Sequence, residues 1–160
     1  MSGTFLDVAS VAALPGDLPT SLTYWPGYLL AFIAEHATER FERQLAPFGV
    51  KTRHASVLVV IDGEGPMSQR ALCRRLRIDK SPMVGVVDDL ERLGLAERRR
   101  SASDRRVQDI HLSKRGRAVL RRVVEIAEQE NDLTFGGLDE AERAQLHALL
   151  LRVAEASDRD

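Results

Sequence analysis

MSQRALCRRLRIDKSPMVGVVDDLERLGLAERRRSASDRRVQDIHLSKRG, residues 67–116, is the stretch on which the fold turns. Ser68 stands ahead of Leu72 and Leu76 at helical spacing, and its hydroxyl suits the unpaired amides of a helix start. Ser81 and Pro82 repeat the signal, with serine expected as the cap and proline in the first helical position, where a missing N–H is no loss. Met83, Val86, Val87, Leu90 and Leu93 then form one apolar face, and Gly94 ends the helix. Two short helices joined by a tight turn make a helix-turn-helix. Beyond it, Leu95 to Arg99 and Val107 to Leu112 flank the turn-favouring Ser101, Ala102, Ser103 and Asp104. Gln108, Ile110 and Leu112 fall on one face, so the spacing predicts a β-hairpin with a basic tip. A helix-turn-helix followed by such a hairpin is a winged helix.

Outward from this core the pattern is helical. Ser113 is placed to cap a long helix carrying Val119, Val123, Ile126 and Leu133 near one side, interrupted at Gly136 and Gly137. Asp139 and Glu142 have the spacing of a capping box ahead of Leu146, Leu149, Leu150 and Val153. Upstream, Leu29, Ile33, Ala37, Phe41 and Leu45 recur every fourth position from Pro26 to Ala46, with Trp25, Tyr28 and Phe32 on the adjoining row. Pro47 stops that helix. The β-branched run Ala55 to Ile61 reads as a buried strand or a buried helix, with the residues leaning toward strand. Asp62 to Pro66 is a break. Residues 1–22, with Pro15, Gly16 and Pro19 and no sustained period, read as a flexible arm.

A net charge of −1 over 160 residues looks wrong for a nucleic-acid binder, but the distribution is uneven. Residues 67–117 hold 14 basic against 7 acidic side chains, so this stretch carries +7 and the remainder −8. A basic middle between acidic ends fits a phosphate-binding core. No run reaches the roughly 20 apolar residues of a membrane span, and a secretory start is not evident, so a cytoplasmic protein is expected. Cys73 is the only cysteine, and His36, His54, His111 and His147 lack ligand spacing, so neither metal nor cofactor is expected. With no nucleophile elbow or phosphate-binding glycine loop, an enzyme is not expected. RNA is disfavoured because no aromatic platform accompanies the basic residues. The competing reading is a winged helix that docks protein partners without binding DNA; the arginines of the helix pair and hairpin argue against it.

The chain resembles the MarR family of transcription regulators. The resemblance is carried by DRRVQDIHLSKRG (Asp104 to Gly116), with Asp104 and Arg106 in an Asp-x-Arg pattern, and by MSQRALCRRLRID, KSPMVGVVDDLERLGLAER and LDEAERAQL in the same order. It implies that Ala55 to Ile61 is helix. It also implies a mainly α fold with a small β-hairpin wing. Residues 51–113 would form a winged helix-turn-helix core, residues 23–50 an N-terminal dimerisation helix, and residues 114–160 C-terminal dimerisation helices. The implied function is a homodimeric, DNA-binding repressor of a pseudo-palindromic operator, released by a small aromatic or phenolic ligand.

On this reading Lys80, Ser81, Pro82 and Val84 approach base edges in the major groove of double-stranded DNA. Similar sequences often carry arginine where this chain has Gly85 and Asp89, which shifts weight toward the wing. There Arg105 and Arg106 are placed to enter a narrow minor groove, with Asp104 orienting Arg106 through a salt bridge. Arg74, Arg75, Arg99 and Arg100 are assigned to phosphates. Trp25, Tyr28 and His54 are the candidate effector-pocket residues, against a plain reading as core packing and a hydrogen-bonded histidine.

Overall fold

The structure, a computed structural model, describes residues 18–101, 104 and 106–157. The helices are α1 (Thr20–Thr23), α2 (Pro26–Leu45), α3 (Thr52–Glu64), α4 (Gln69–Leu76), α5 (Lys80–Arg92), α6 (Lys114–Phe135) and α7 (Glu140–Ser157). The strands are β1 (Met67–Ser68), β2 (Ala96–Arg100) and β3 (Gln108–Leu112), in the antiparallel order β1-β3-β2. Met67 lies opposite Ile110, and Ala96 opposite Leu112. The winged helix expected from residues 67–116 is therefore present, with β1 as a third strand that the sequence reading did not anticipate. Most of the expected arm, residues 1–17, lies outside the described residues, and residues 20–22 belong to the single turn α1.

Local chemistry accounts for most element ends. Ser68 accepts the Ala71 N–H at 3.3 Å and Ser113 the Gly116 N–H at 2.8 Å. Asp139 and Glu142 exchange two 2.9 Å bonds, completing the capping box. Pro47 falls in a short 3₁₀ turn that closes α2. Gly94, with φ of 68°, turns the chain from α5 into β2. The expected start of α5 requires correction. Asp79 occupies the cap position, Lys80 and Ser81 lie inside the first turn, and Pro82 follows them. Pro82 is tolerated because the first four amides of a helix have no intrahelical acceptor. Between α4 and α5, Arg77 adopts a left-handed φ of 51°, and the next amide, that of Ile78, bonds back to the Cys73 carbonyl at 3.2 Å. This closes α4 in the manner of a Schellman turn.

The strand lean for Ala55 to Ile61 is overturned: the run is the middle of α3. Ala55, Val57, Leu58 and Ile61 are all buried there, so core packing overrides β-branched propensity. Around α3 gather Leu72 of α4, Met83, Val87 and Leu90 of α5, Ile110 of β3, and Val123 of α6. Truncating Leu58, fully buried at the centre, would cost about 2–5 kcal/mol. The wing is bolted to α6 at its root. Ser113 donates through N–H to the Leu95 carbonyl at 3.0 Å and through Oγ to the Gly94 carbonyl at 2.7 Å. Gly116 sits so close that a Cβ there would lie 1.9 Å from the Leu95 carbonyl oxygen.

The outer helices present a different surface. Leu120, Val123 and Ile126 of α6 are buried, whereas Leu133, expected on the same side, is 68% exposed, and the buried residue of that turn is Glu130. Arg40 Nε and Gln44 Nε2 of α2 donate to the Glu130 carboxylate at 2.9 and 2.6 Å, and Arg40 also reaches Thr134 Oγ1 at 2.8 Å. Of the apolar row of α2, Leu45 is buried and Phe41 packs partly buried against the core, while Ile33 and the neighbouring Leu30 remain exposed. α7 has no buried residue and exposes Leu149, Leu151 and Val153. A largely apolar groove of about 410 Å³ runs between α2, α6 and α7, lined by Ile33, Phe41, Phe135, Leu146 and Leu150 among others.

Candidate nucleic-acid interface

α5 buries Met83, Val86, Val87 and Leu90 and turns Lys80, Ser81, Pro82, Val84 and Gly85 to solvent. The four residues assigned to base edges thus share the exposed side of one helix, ahead of the wing. Val84 is 39% exposed. Because Asp79 takes the cap position, Ser81 is released from the capping role, and its hydroxyl makes no hydrogen bond among the described residues.

The basic residues separate into two groups. Arg75 pairs with Glu64 at 2.8 Å, and Arg99 pairs with Glu97. Arg74, Lys80, Arg100 and Arg106 are exposed and make no ion pair among the described residues. Their charge is not offset by a neighbouring carboxylate, which is the condition for a strong phosphate contact.

At the wing tip, Arg105 lies outside the described residues. The orienting contact between Asp104 and Arg106 differs from the expected salt bridge, since the Asp104 carboxylate accepts the backbone N–H of Arg106 at 2.9 Å. This contact shapes the turn, and the Arg106 side chain is exposed. The Val107 N–H bonds to the Asp104 carbonyl and the Ser101 N–H to the Val107 carbonyl, both at 2.9 Å, so the hairpin closes just inside the tip.

A residue missed by the sequence reading joins α5 to the wing. Arg98 of β2 bonds Asp88 of α5 at 2.6 Å and also pairs with Glu91, whose other oxygen accepts the Arg98 backbone N–H at 2.8 Å. The clamp sets the wing's position against α5. In sequence Arg98 looked like one member of a solvated Arg98 to Arg100 run. The available signal was strand parity: Arg98 stands opposite the core residue Ile110 and Arg99 opposite Asp109, so successive arginines face opposite ways.

The three candidate effector residues are not brought together within the chain. Trp25 is 60% exposed at the start of α2, where its ring meets Tyr24 edge-on. Tyr28 stacks on Phe32 one turn later. His54 follows the far end of α2, a helix of 20 residues and so roughly 30 Å long. His54 is 6% exposed. Its Nδ1 accepts the Lys51 N–H at 2.9 Å, which leaves the proton on Nε2, 3.5 Å from Asp89 of α5. Burial holds the imidazole pKa below its ordinary value, partly offset by the Asp89 carboxylate. The Arg92 guanidinium, bonded to Asp89 at 2.8 Å, holds that carboxyl below the usual aspartate range. His54 lines a cavity of about 490 Å³ with Lys51, Arg53 and, from α5, Pro82, Gly85 and Asp89.

Comparison with known proteins places this geometry in context. The model of the MarR family matches residues 48–107, the span from the end of α2 into the wing. The transcriptional repressor NicR of Pseudomonas putida is 25% identical over 142 residues, covering 89% of this chain and 90% of NicR. CouR of Rhodococcus jostii, solved bound to p-coumaroyl-CoA, superposes with a TM-score of 0.75 at 28% identity, over 83% of this chain and 94% of CouR. BpsR of Bordetella bronchiseptica, whose DNA binding is regulated by 6-hydroxynicotinic acid, gives a TM-score of 0.73 at 27% identity, over 81% of this chain and 93% of BpsR.

Proposed function

We propose that the chain is a winged-helix transcription regulator of the MarR family, a DNA-binding protein and not an enzyme, and that it acts as a homodimeric, cytoplasmic repressor of a pseudo-palindromic operator. The observation that carries the reading is the contrast between α5, whose exposed side is free of core contacts, and the cations around it. Arg74, Lys80, Arg100 and Arg106 have no carboxylate partner among the described residues, whereas Arg40, Arg92, Arg98 and Arg143 are engaged in internal pairs. α5 enters the major groove, the wing with Asp104, Arg105 and Arg106 meets the minor groove, and Arg74 and Arg100 grip phosphates, with Arg75 and Arg99, paired to Glu64 and Glu97, in lesser roles.

Residues 51–113 serve as the DNA-binding core, and residues 23–50 and 114–160 as dimerisation segments. The support is the unburied α7 and the apolar groove beside it, since exposed apolar surface of this kind marks an interface. A second copy would cover Leu149, Leu151 and Val153 and hold two α5 helices about one DNA turn apart.

The effector reading moves from the three dispersed residues to the cavity at His54. Lys51 and Arg53 suit the carboxylate of a small aromatic acid, and the cavity touches Pro82 and Gly85 on the recognition helix. A ligand there would favour one spacing of the two recognition helices over another. A salt-titrated mobility shift on the chain's own promoter region against random duplex tests the proposal. Tight, salt-sensitive and selective binding, weakened by an aromatic carboxylate, is expected. Equal binding to both duplexes would overturn it.

A further inference from the structure

At 100° per residue, the ridge of α5 opposite Met83, Val87 and Leu90 is formed by Ser81, Gly85, Asp88 and Arg92, with Val84 on its flank. Each position has a definite state. The Ser81 hydroxyl has no partner among the described residues, and Val84 is exposed. Gly85 is open: a Cβ built there meets no atom within 4 Å, so the bare backbone faces outward. Asp88 is 57% exposed with one oxygen held by Arg98 at 2.6 Å, and Arg92 is drawn sideways onto Asp89. The first turns of this ridge therefore offer a hydroxyl, an isopropyl group, bare backbone and a carboxylate, with no guanidinium.

That inventory selects among bases. Guanine presents two acceptors, N7 and O6, in the major groove, and its usual reader is a bidentate donor such as arginine. A carboxylate at the same place repels both acceptors. A carboxylate accepts from the cytosine N4 amine as well as from the adenine N6 amine, so the choice falls to the thymine C5-methyl, which only an A·T pair presents and which matches an isopropyl group beside bare backbone. We infer that α5 reads an A·T pair at the centre of each half-site, with the thymine methyl against Val84 and Gly85 and the adenine amine donating to Asp88. Arg98 is the positioning residue that holds the Asp88 carboxylate toward the groove and offsets its charge near the phosphates. The inference rests on the operator-binding reading and adds its specificity.

The test is selection from randomised duplexes by the full-length protein and by Gly85→Arg, followed by titration of the selected operator with single thymines replaced by uracil, which lacks only the C5-methyl. The wild-type protein is expected to enrich half-sites centred on A·T. Uracil at the central position should weaken binding roughly tenfold, while Val84→Ala should bind both duplexes within about twofold of each other. Gly85→Arg, a change into open space, should shift the enriched centre toward G·C. Guanine-centred wild-type sites, or uracil duplexes bound as tightly as thymine ones, would overturn the assignment while leaving operator binding intact. Enrichment of no sequence at all would remove the operator reading and this inference with it.

Discussion

Salt dependence measures the proposed footprint directly, because each neutralised phosphate releases about 0.9 of a counterion from B-DNA. Arg74, Lys80, Arg100 and Arg106 lack ion-pair partners among the described residues, so a dimer would bring about eight uncompensated cations onto the duplex, at phosphates and in the grooves, and log affinity should fall against log salt with a slope of roughly −7. Between about 50 and 200 mM salt that slope corresponds to a loss of order 10⁴-fold in affinity. Arg100→Gln removes two of these charges per dimer and should flatten the slope to roughly −5. Arg75→Gln is the internal control. Arg75 already pairs with Glu64 at 2.8 Å, so its removal should change the slope by less than about one while weakening specific and random duplexes alike. Fluorescence anisotropy on operator duplex across a salt series would read both. A wild-type slope shallower than about −3, or an Arg100→Gln slope equal to the wild type's, would refute the footprint drawn here.

Three further outcomes follow from particular contacts. Gly116→Ala sets a Cβ 1.9 Å from the Leu95 carbonyl oxygen, so it should destabilise by about 3 kcal/mol or more; a thermal midpoint within two degrees of wild type would contradict the close approach of α6 to the wing root. Arg98→Ala should cost about 1–2 kcal/mol of stability and weaken operator binding more than random binding, with Arg98→Lys recovering part of both; equal losses on the two duplexes would show that the clamp does not position the reading elements. His54 has a folded pKa below 6.5, so the unfolded chain binds more protons just beneath that value and stability should fall as pH drops through it. His54→Gln should lessen that loss, and identical pH–stability curves for the two proteins would exclude His54 as a source.

Much of the fold was legible because its punctuation is local. Ser68, Ser113 and the Asp139–Glu142 box cap helices through groups within three residues, and Gly94 ends α5 with a backbone angle intrinsic to its own residue type. Period and capping together placed a helix pair before a hairpin, and the exposed side of α5 followed once Met83, Val86, Val87 and Leu90 were assigned to the core. The positions of Lys80, Ser81, Pro82 and Val84 on that exposed side needed no long-range information.

Tertiary packing decided the features whose partners are remote in sequence. Ala55 to Ile61 became helix because neighbouring elements bury most of its circumference, a condition that hides the period by which helix and strand are told apart. Glu130 took the inward place expected of Leu133 because Arg40 and Gln44, nearly ninety positions away, satisfy its carboxylate. Arg98 turned toward α5 because strand register set it opposite Ile110. Trp25 and Tyr28 were parted from His54 by the straight length of α2, which a list of aromatic and titratable residues does not convey. Local hydrogen bonds and side-chain periods are properties of short segments and survive in the sequence; which side chain meets which across the core depends on how those segments close on one another.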